Sequence, residues 1–359
     1  MSENIAVFFG GVSSENEISV ITGTMVCNVL KRGGMNVFPV YITQSGAYLS
    51  GGQLFSIKNF ANGVVPAAKA VAFAAGGMYI CGRRSFKKFV RIDCAVNCCH
   101  GGWGEGGGVS GLCAAMSLPL ASAGIFESSL FLDKYLTKLV LSALGVPTVE
   151  YVYLSEGCSA DGIAHFPVMV KPARLGSSIG VARADNAEQL NDALSAAFLL
   201  DDGVLIERCI TDRREINCAV CLAGGELVVS PCEEAFGGDI LSYDDKYSGS
   251  GRRVCPADLP EDTEKQVNSI ASLVYTRLNM RGIVRFDFIL DGQTVYLSEV
   301  NTVPGSLSNY LLSENYDDFY KLLCSLIATA QSDRRKASSK LLLNTGIINN
   351  FASNTCKIK

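Results

Sequence analysis

Ile283-Val-Arg-Phe-Asp-Phe-Ile289, then Asp291-Gly292, then Val295-Tyr-Leu-Ser-Glu-Val-Asn301 reads as two strands and the turn between them. Side chains on a strand alternate faces, so Arg285 and Asp287 share one face while four apolar residues fill the other. Glu299 and Asn301, two apart, likewise share a face, and Asp-Gly is a strong hairpin signal. Pairing the strands gathers Arg285, Asp287, Glu299 and Asn301 into one polar cluster. Two carboxylates and an amide suit a magnesium ion that also takes phosphate oxygens from a substrate. A salt-linked hairpin, with Arg285 pairing Asp287, accounts for the same residues, and at this point both readings stand.

Working outward, the chain opens with a buried strand, Ile5–Phe9, a Gly10-Gly11 turn and a helix in which Ile18, Ile21, Met25 and Val29 recur at helical spacing. Ser14 and Glu17 have the spacing of a capping box. Gly33-Gly34 ends the helix and Val37–Ile42 is the next strand, a βαβ start that predicts a parallel sheet. Phe89–Cys99 reads as one strand that delivers His100 into the glycine-dense loop His100–Gly108. A short buried helix followed by a strand is expected across 106–126. A second unit begins near Gly124, with a helix over Asp133–Leu144, a strand at Val168–Lys171, a helix over Ala187–Leu199 and a strand at Gly203–Glu207. The third has strands at Glu215–Leu222 and Glu226–Val229, a long polar loop at 235–253, a helix over 261–278, the hairpin, and a helix over 316–331. Beyond 332 a polar, then mixed, tail is expected to be loosely attached.

With 359 residues, 48% of them hydrophobic, the chain exceeds one compact domain and can bury a large core. Its net charge of -4 and pI near 5.4 argue against a nucleic-acid binder. No signal peptide and no membrane span is evident, so a cytoplasmic protein with no membrane partner is expected. The 14 cysteines then read as reduced thiols, and Cys218-Ala-Val-Cys221, without a second pair, as buried strand thiols.

Several segments carry chemistry. Glu15 follows the first strand, at the carboxyl edge where open α/β sheets bind ligands. It can hold a substrate ammonium or simply complement the helix N-terminus. His100 lies at a similar edge. Lys171-Pro-Ala-Arg-Leu-Gly-Ser-Ser178-Ile-Gly180 sets a lysine beside backbone amides and hydroxyls, a phosphate cradle that lacks the order of a Walker loop. Ser242-Tyr-Asp-Asp-Lys246-Tyr247 lies in the long loop and suits either a lid or a solvated surface.

Taken in order, IAVFFGGVSSENEIS, CHGGWGEGGG, SSLFLDKYLTK, VMVKPARLGSSIGV, VLIER, REINCAV, YDDKY, RFDFIL and LSEVNTVPG resemble the D-alanine:D-alanine ligase family of the ATP-grasp superfamily. The resemblance runs from about residue 3 to about residue 330. It implies an α/β, three-domain ATP-grasp fold: a Rossmann-like N-terminal parallel-sheet domain at 1–123, a central subdomain at 124–208, a C-terminal subdomain at 209–332, and a tail of unknown role at 333–359. It implies ATP-dependent joining of two D-amino acids through an acyl phosphate, for cell-wall precursors. Small molecules are then the partners, with a homodimer as the oligomer common among such folds. The implied cofactors are ATP and Mg2+, two ions with Mn2+ as the alternative.

Residue by residue, the resemblance assigns Lys134, Lys171 and Ser178 to ATP phosphates. Glu207, the backbone near Ile210 and Glu215 go to adenosine, and Asp287, Glu299 and Asn301 to the metal. Glu15 is assigned to the ammonium of the first substrate, with Ser177 and Tyr247 as its partners. Arg285 and the backbone at Gly305 are assigned to the oxyanion. His100, Lys246, Asn309 and Tyr310 are assigned to amino-acid substrate. The chain departs from the family at Gly106, Leu175 and Cys209, and above all in Ser306–Tyr310, which replaces the usual Thr-Ser-His-Ser segment. Other acceptors (D-serine, D-lactate), another carboxylate–amine ligation, or a non-catalytic nucleotide-binding role are the alternatives.

Overall fold

The computed structural model describes residues 2–63, 67–158, 163, 165–236, 252–340 and 346–349. Strand β1 (Asn4–Gly10), helix α1 (Asn16–Arg32) and β2 (Asn36–Ile42) form the expected βαβ unit, with β1 parallel to β2. It sits in a seven-stranded sheet with β3 (Tyr48–Ser50), β4 (Lys69–Ala74), β5 (Gly77–Cys81), β6 (Phe86–Arg91) and β7 (Cys94–Asn97), in the order β6-β5-β4-β3-β2-β1-β7. Only β2, β1 and β7 run parallel; β3 to β6 are an antiparallel extension, so the sheet is mixed rather than parallel throughout. The single strand expected over Phe89–Cys99 is broken at Ile92-Asp93. There the chain leaves one edge of the sheet and re-enters at the other, and apolar content on both sides conceals the break.

The capping box expected of Ser14 and Glu17 does not form. Helix α1 starts at Asn16, so Glu15 takes the cap position, and it is the Ser13 hydroxyl that accepts the Glu15 N–H (3.0 Å). Helix α2 (Val109–Ala115) is the expected short helix, but the strand expected after it is reduced to one bridge, Ala95 to Leu120.

Two further helices, α3 (Ile125–Leu132) and α4 (Lys134–Ala143), lead to a four-stranded antiparallel sheet ordered β10-β9-β11-β8. Its strands are β8 (Tyr151–Ser155), β9 (Val168–Pro172), β10 (Ala182–Ala184) and β11 (Gly203–Arg208), covered by α5 (Ala187–Phe198). The last sheet contains β12 (Arg214–Ala223), β13 (Glu226–Val229), β14 (Glu233–Phe236), β15 (Arg252–Val254), β16 (Ile283–Asp291) and β17 (Thr294–Asn301), with α6 (Glu261–Arg277) packed on it. A single turn, α7 (Asn309–Leu312), precedes α8 (Tyr316–Lys340). Helix α8 runs past the expected end at 331, and Asp333 accepts from Arg281 Nε at 2.6 Å, so this part of the tail is anchored. Lys246 and Tyr247 lie outside the described residues.

Four cores organise these elements, one of them, with Phe8, Val40, Met78 and Cys113, lying between the N-terminal sheet and α2. Another joins Ile5, Val7 and Leu30 to Ala219, Cys221, Ile283, Phe319 and Leu323, and so spans the N-terminal sheet, the last sheet and α8. A third joins Phe131 and Leu141 of α3 and α4 to the other face of the last sheet. The four-stranded sheet keeps a core of its own, built from residues such as Leu154, Val170, Leu194 and Ile206.

Candidate active site

The hairpin forms as its alternation predicts. Arg285 pairs with Asn301 and Asp287 with Glu299 across the strands, and a bulge after Asp287 bends the pair. The polar cluster is thereby assembled at the floor of an interdomain cleft. Arg285 makes a bidentate ion pair with Asp287 (2.6 and 2.8 Å), and Asn301 Nδ2 donates to the same carboxylate at 2.9 Å. The salt link and the shared oxygen face coexist. Among the described residues no cluster of three or more His, Cys, Asp and Glu exists. Two carboxylates and an amide are therefore not a complete cage. They fit a hard ion that fills its remaining positions with phosphate oxygens and water.

The cleft holds two contiguous cavities. The larger, of about 280 Å³, is lined by Lys134, Lys171, Ser178, Glu207, Ile210, Glu215, Asp287 and Tyr310. The smaller, of about 90 Å³, is lined by Glu15, His100, Glu105, Ser177 and Asn301. Lys134, Arg285, Glu299 and Gly305 belong to both walls. The smaller space equals about three waters of liquid volume, enough for one small amino acid.

Lys134 is placed by helix α4, whose cap Asp133 accepts from the Tyr135 and Leu136 N–H groups (2.9 and 3.0 Å). Its ammonium donates to the Leu175 carbonyl (2.5 Å) and lies 3.8 Å from Glu299. Lys171 Nζ meets Glu207 at 2.6 Å, and Lys138, one turn after Lys134, meets the other Glu207 oxygen at 2.9 Å. Burial alone would raise the Glu207 carboxyl, but Lys171 and Lys138 bring it down to about 2. The glutamate expected to face adenosine thus has both oxygens engaged by lysines. Burial lowers Lys138, against the pull of Glu207. Glu215 accepts from Arg213 Nε at 2.9 Å.

Glu15 is 8% exposed and accepts a short hydrogen bond from the Ser177 hydroxyl, joining the first βα turn to the Gly-Ser loop. Two glycines make room for it. A Cβ on Gly101 would lie 2.4 Å from Glu15 Oε2, and one on Gly176 2.7 Å from the same atom. His100 Nε2 is hydrogen-bonded to the Thr22 hydroxyl (2.9 Å), which accepts the Ser306 N–H at 3.0 Å. Burial, helped by Arg285, lowers His100 to about 3, so it is neutral at pH 7. Burial and the proximity of Glu15 raise Glu105 to about 8, against hydrogen bonds from the Gly101 and Val303 backbone.

Ser306, Leu307 and Ser308 all have φ near +50°. Three successive non-glycine residues in the left-handed region are sterically strained, and they hold the Ser306 N–H toward Thr22. Tyr310 reaches the larger cavity, where its hydroxyl accepts from Arg253 Nη1 at 3.2 Å; Arg253 also stands 3.7 Å from Glu233. Asn309 does not reach either cavity and donates instead to Met25 Sδ at 3.7 Å. Sequence reasoning missed Lys138, Thr22, Glu105 and Arg253. Only Lys138 left a signal, its i+4 spacing from Lys134.

Comparison with known proteins agrees with this geometry. Residues 4–123 match the model of the D-ala D-ala ligase N-terminus and residues 140–327 that of the C-terminus. The D-alanine–D-alanine ligase of Thermosipho africanus is 33% identical, covering 94% of this chain and 96% of its own. That of Wolinella succinogenes is 34% identical, covering 92% and 94%. Among solved structures, the Helicobacter pylori D-alanine–D-alanine ligase is 28% identical with a TM-score of 0.74, covering 91% of this chain and 98% of its own. The Coxiella burnetii enzyme superposes with a TM-score of 0.80 at 24% identity over 98% of each chain, a likeness of fold. Fold and cleft define an ATP-grasp ligase, of the class that forms carbon–nitrogen bonds. The chain belongs to the D-alanine–D-alanine ligase family.

Proposed function

We propose that this chain joins two D-alanines, with ATP as the driving substrate, to supply a cell-wall precursor. The observation that carries the reading is the wall common to the two cavities. A small acid bound against Glu15 and Ser177 would meet the terminal phosphate held by Lys134 and Lys171 at Arg285, Glu299 and Gly305. Glu15 holds the ammonium of the first D-alanine. A carboxylate oxygen of that substrate attacks the γ-phosphorus, the bond to the β-phosphate oxygen breaks, and ADP leaves. The amine of the second D-alanine then attacks the acyl carbon. Its surplus proton passes to the departing phosphate, the carbon–oxygen bond to phosphate breaks, and D-alanyl-D-alanine forms. Arg285 and the Gly305 N–H face the oxyanion that develops; one such donor supplies roughly 3 kcal/mol. Neutral His100 positions the Ser306 backbone through Thr22 and transfers no proton in the reaction. Asp287, Glu299 and Asn301 would hold Mg2+, or Mn2+ in its place, whose contribution is to offset charge on the phosphate oxygens.

Tyr310 and Arg253 on the cleft wall favour a second reading of the acceptor alone, in which the same chemistry takes D-serine or D-lactate. Phosphate release with ATP, magnesium and D-alanine, with product mass from the same sample, tests both. D-alanyl-D-alanine is the expected product. Release that yields only mixed products across a panel of D-amino and D-hydroxy acids moves the assignment to another acceptor, and no release by any member overturns it. A cytoplasmic site of action is the expectation that ATP as substrate supports, and a homodimer is the expected oligomer, checked by light scattering.

A further inference from the structure

The β5–β6 hairpin forms the free edge of the N-terminal sheet, opposite the β7 edge whose strand leads to His100 and the cleft. One face of it is fixed by the core, where Met78 and Val90 are buried. A one-residue slip would expose both, so the register is determined. The other face and the turn are exposed without interruption from Arg83 to Phe89. Phe86 is 63% and Phe89 42% exposed, and both rings lie against Tyr79, with centroids 4.9 and 5.0 Å away. Arg83-Arg-Ser-Phe-Lys-Lys-Phe-Val-Arg91 contains five basic residues and no acidic one. The remaining chain carries 26 basic residues against 35 acidic, so this edge opposes the sign of the rest of the molecule. Of the five, only Arg91 has a carboxylate partner among the described residues, Asp93 at 3.3 Å.

An acid-free basic strand would ordinarily be a solvated edge protected from pairing by its charge. Charge protection does not need two exposed phenylalanines packed at a tilt against a tyrosine, an apolar patch that a solvated edge would do without. We propose that this hairpin is a docking surface for anionic phospholipid bilayers. Basic side chains are drawn to the negative surface of a bilayer, and aromatic rings settle at headgroup depth. The same edge then supplies attraction from Arg83, Arg84, Lys87 and Lys88 and an anchor from Phe86 and Phe89. A single-stranded nucleic acid would require a charged groove that follows its backbone, whereas this surface is a sheet edge. The expectation of no membrane partner rested on the lack of a spanning segment, which says nothing of a basic, aromatic sheet edge. Docking at this edge leaves the cleft open, because none of these residues lines either cavity.

The test is flotation of the full chain with vesicles of phosphatidylcholine alone and of phosphatidylcholine mixed with phosphatidylglycerol, at low and raised salt. Binding is expected only to the mixed vesicles and weakens with salt. Lys87→Glu/Lys88→Glu lowers the partition coefficient about 30-fold or more, and Phe86→Ser/Phe89→Ser about 10-fold, with circular dichroism unchanged. Arg83→Glu/Arg84→Glu, at the turn, repeats the charge test should strand substitutions disturb folding. Equal binding to both vesicle types, no binding to either, or variants that bind like the unaltered chain overturns the proposal. So does binding of a single-stranded oligonucleotide in place of the anionic vesicles.

Discussion

The larger cavity is walled by charges that already hold one another, Lys171 and Lys138 on Glu207, Arg285 on Asp287, Arg213 on Glu215. The smaller is shaped by backbone and hydroxyl groups, with Glu15 on Ser177, His100 on Thr22, and two glycines pressed against one carboxylate. The difference shows two ways of preparing a site. On the nucleotide side, ion pairs keep buried charges satisfied and change partners when an anionic substrate arrives. On the amino-acid side the space itself is prepared, and little must move.

Substitutions can break this contrast, beginning with the largest effect. Glu299→Gln removes a carboxylate charge that faces both cavities. It is expected to lower kcat for phosphate release on the order of 10³-fold with an unchanged circular dichroism spectrum; near-normal turnover removes the metal assignment.

Glu207→Gln leaves Lys171 in the wall and the buried Lys138 behind it without their carboxylate and is expected to cost about 3–5 kcal/mol in urea unfolding at pH 7. The sign follows from the depressed pKa. Glu207 contributes stability above its ordinary value of 4.5, and that contribution fades as pH falls toward about 2. The gap between variant and parent should therefore narrow by pH 3 and close only below about pH 2, and a gap independent of pH would contradict the ion-pair account.

Gly101→Ala would set a methyl against Glu15 and Ser13 at a φ of +65°. It should raise KM for the first D-alanine roughly 10- to 100-fold with ATP affinity unaltered in calorimetry. Loss of nucleotide binding as well would dissolve the distinction between the two walls.

The smallest effect sharpens the acceptor end. Arg253→Met should raise the acceptor KM about tenfold, leaving the first-site and ATP constants unchanged. Equal shifts in all three would make Arg253 a general support of the cleft.

The hairpin was legible because strict alternation and an Asp-Gly turn leave one pairing that buries Phe286 and Phe288 together. The βα start and the helix carrying Lys134 were legible for similar local reasons. The crossing at Ile92-Asp93 was not, since no glycine or proline marks it and Val90 and Ile92 lead straight on to the buried Cys94–Val96. The left-handed run at Ser306–Ser308 could not be read, because none of the three residues is a glycine and only tertiary contact holds them there. Thr22 and Arg253 are unremarkable in sequence and acquire meaning from partners at Ser306 and Tyr310, hundreds and tens of residues away. Glu105 stood in view within the glycine loop, but its elevated pKa comes from burial and then from Glu15, both of which exist only in three dimensions.

One core fuses the N-terminal sheet to the last sheet, while residues 151–208 keep a smaller core to themselves. Mechanically the molecule is then a vise with a single jaw. Its frame is welded by Ile5, Val7, Ile283 and Phe319, and the jaw carries Lys171 and the Gly-Ser loop. Amide exchange should reflect this division. The jaw opens as its own cooperative unit, and protection of the frame is lost only with the whole fold. Filling the cleft then locks one degree of freedom, and the short bond from Ser177 to Glu15 is the latch between jaw and frame.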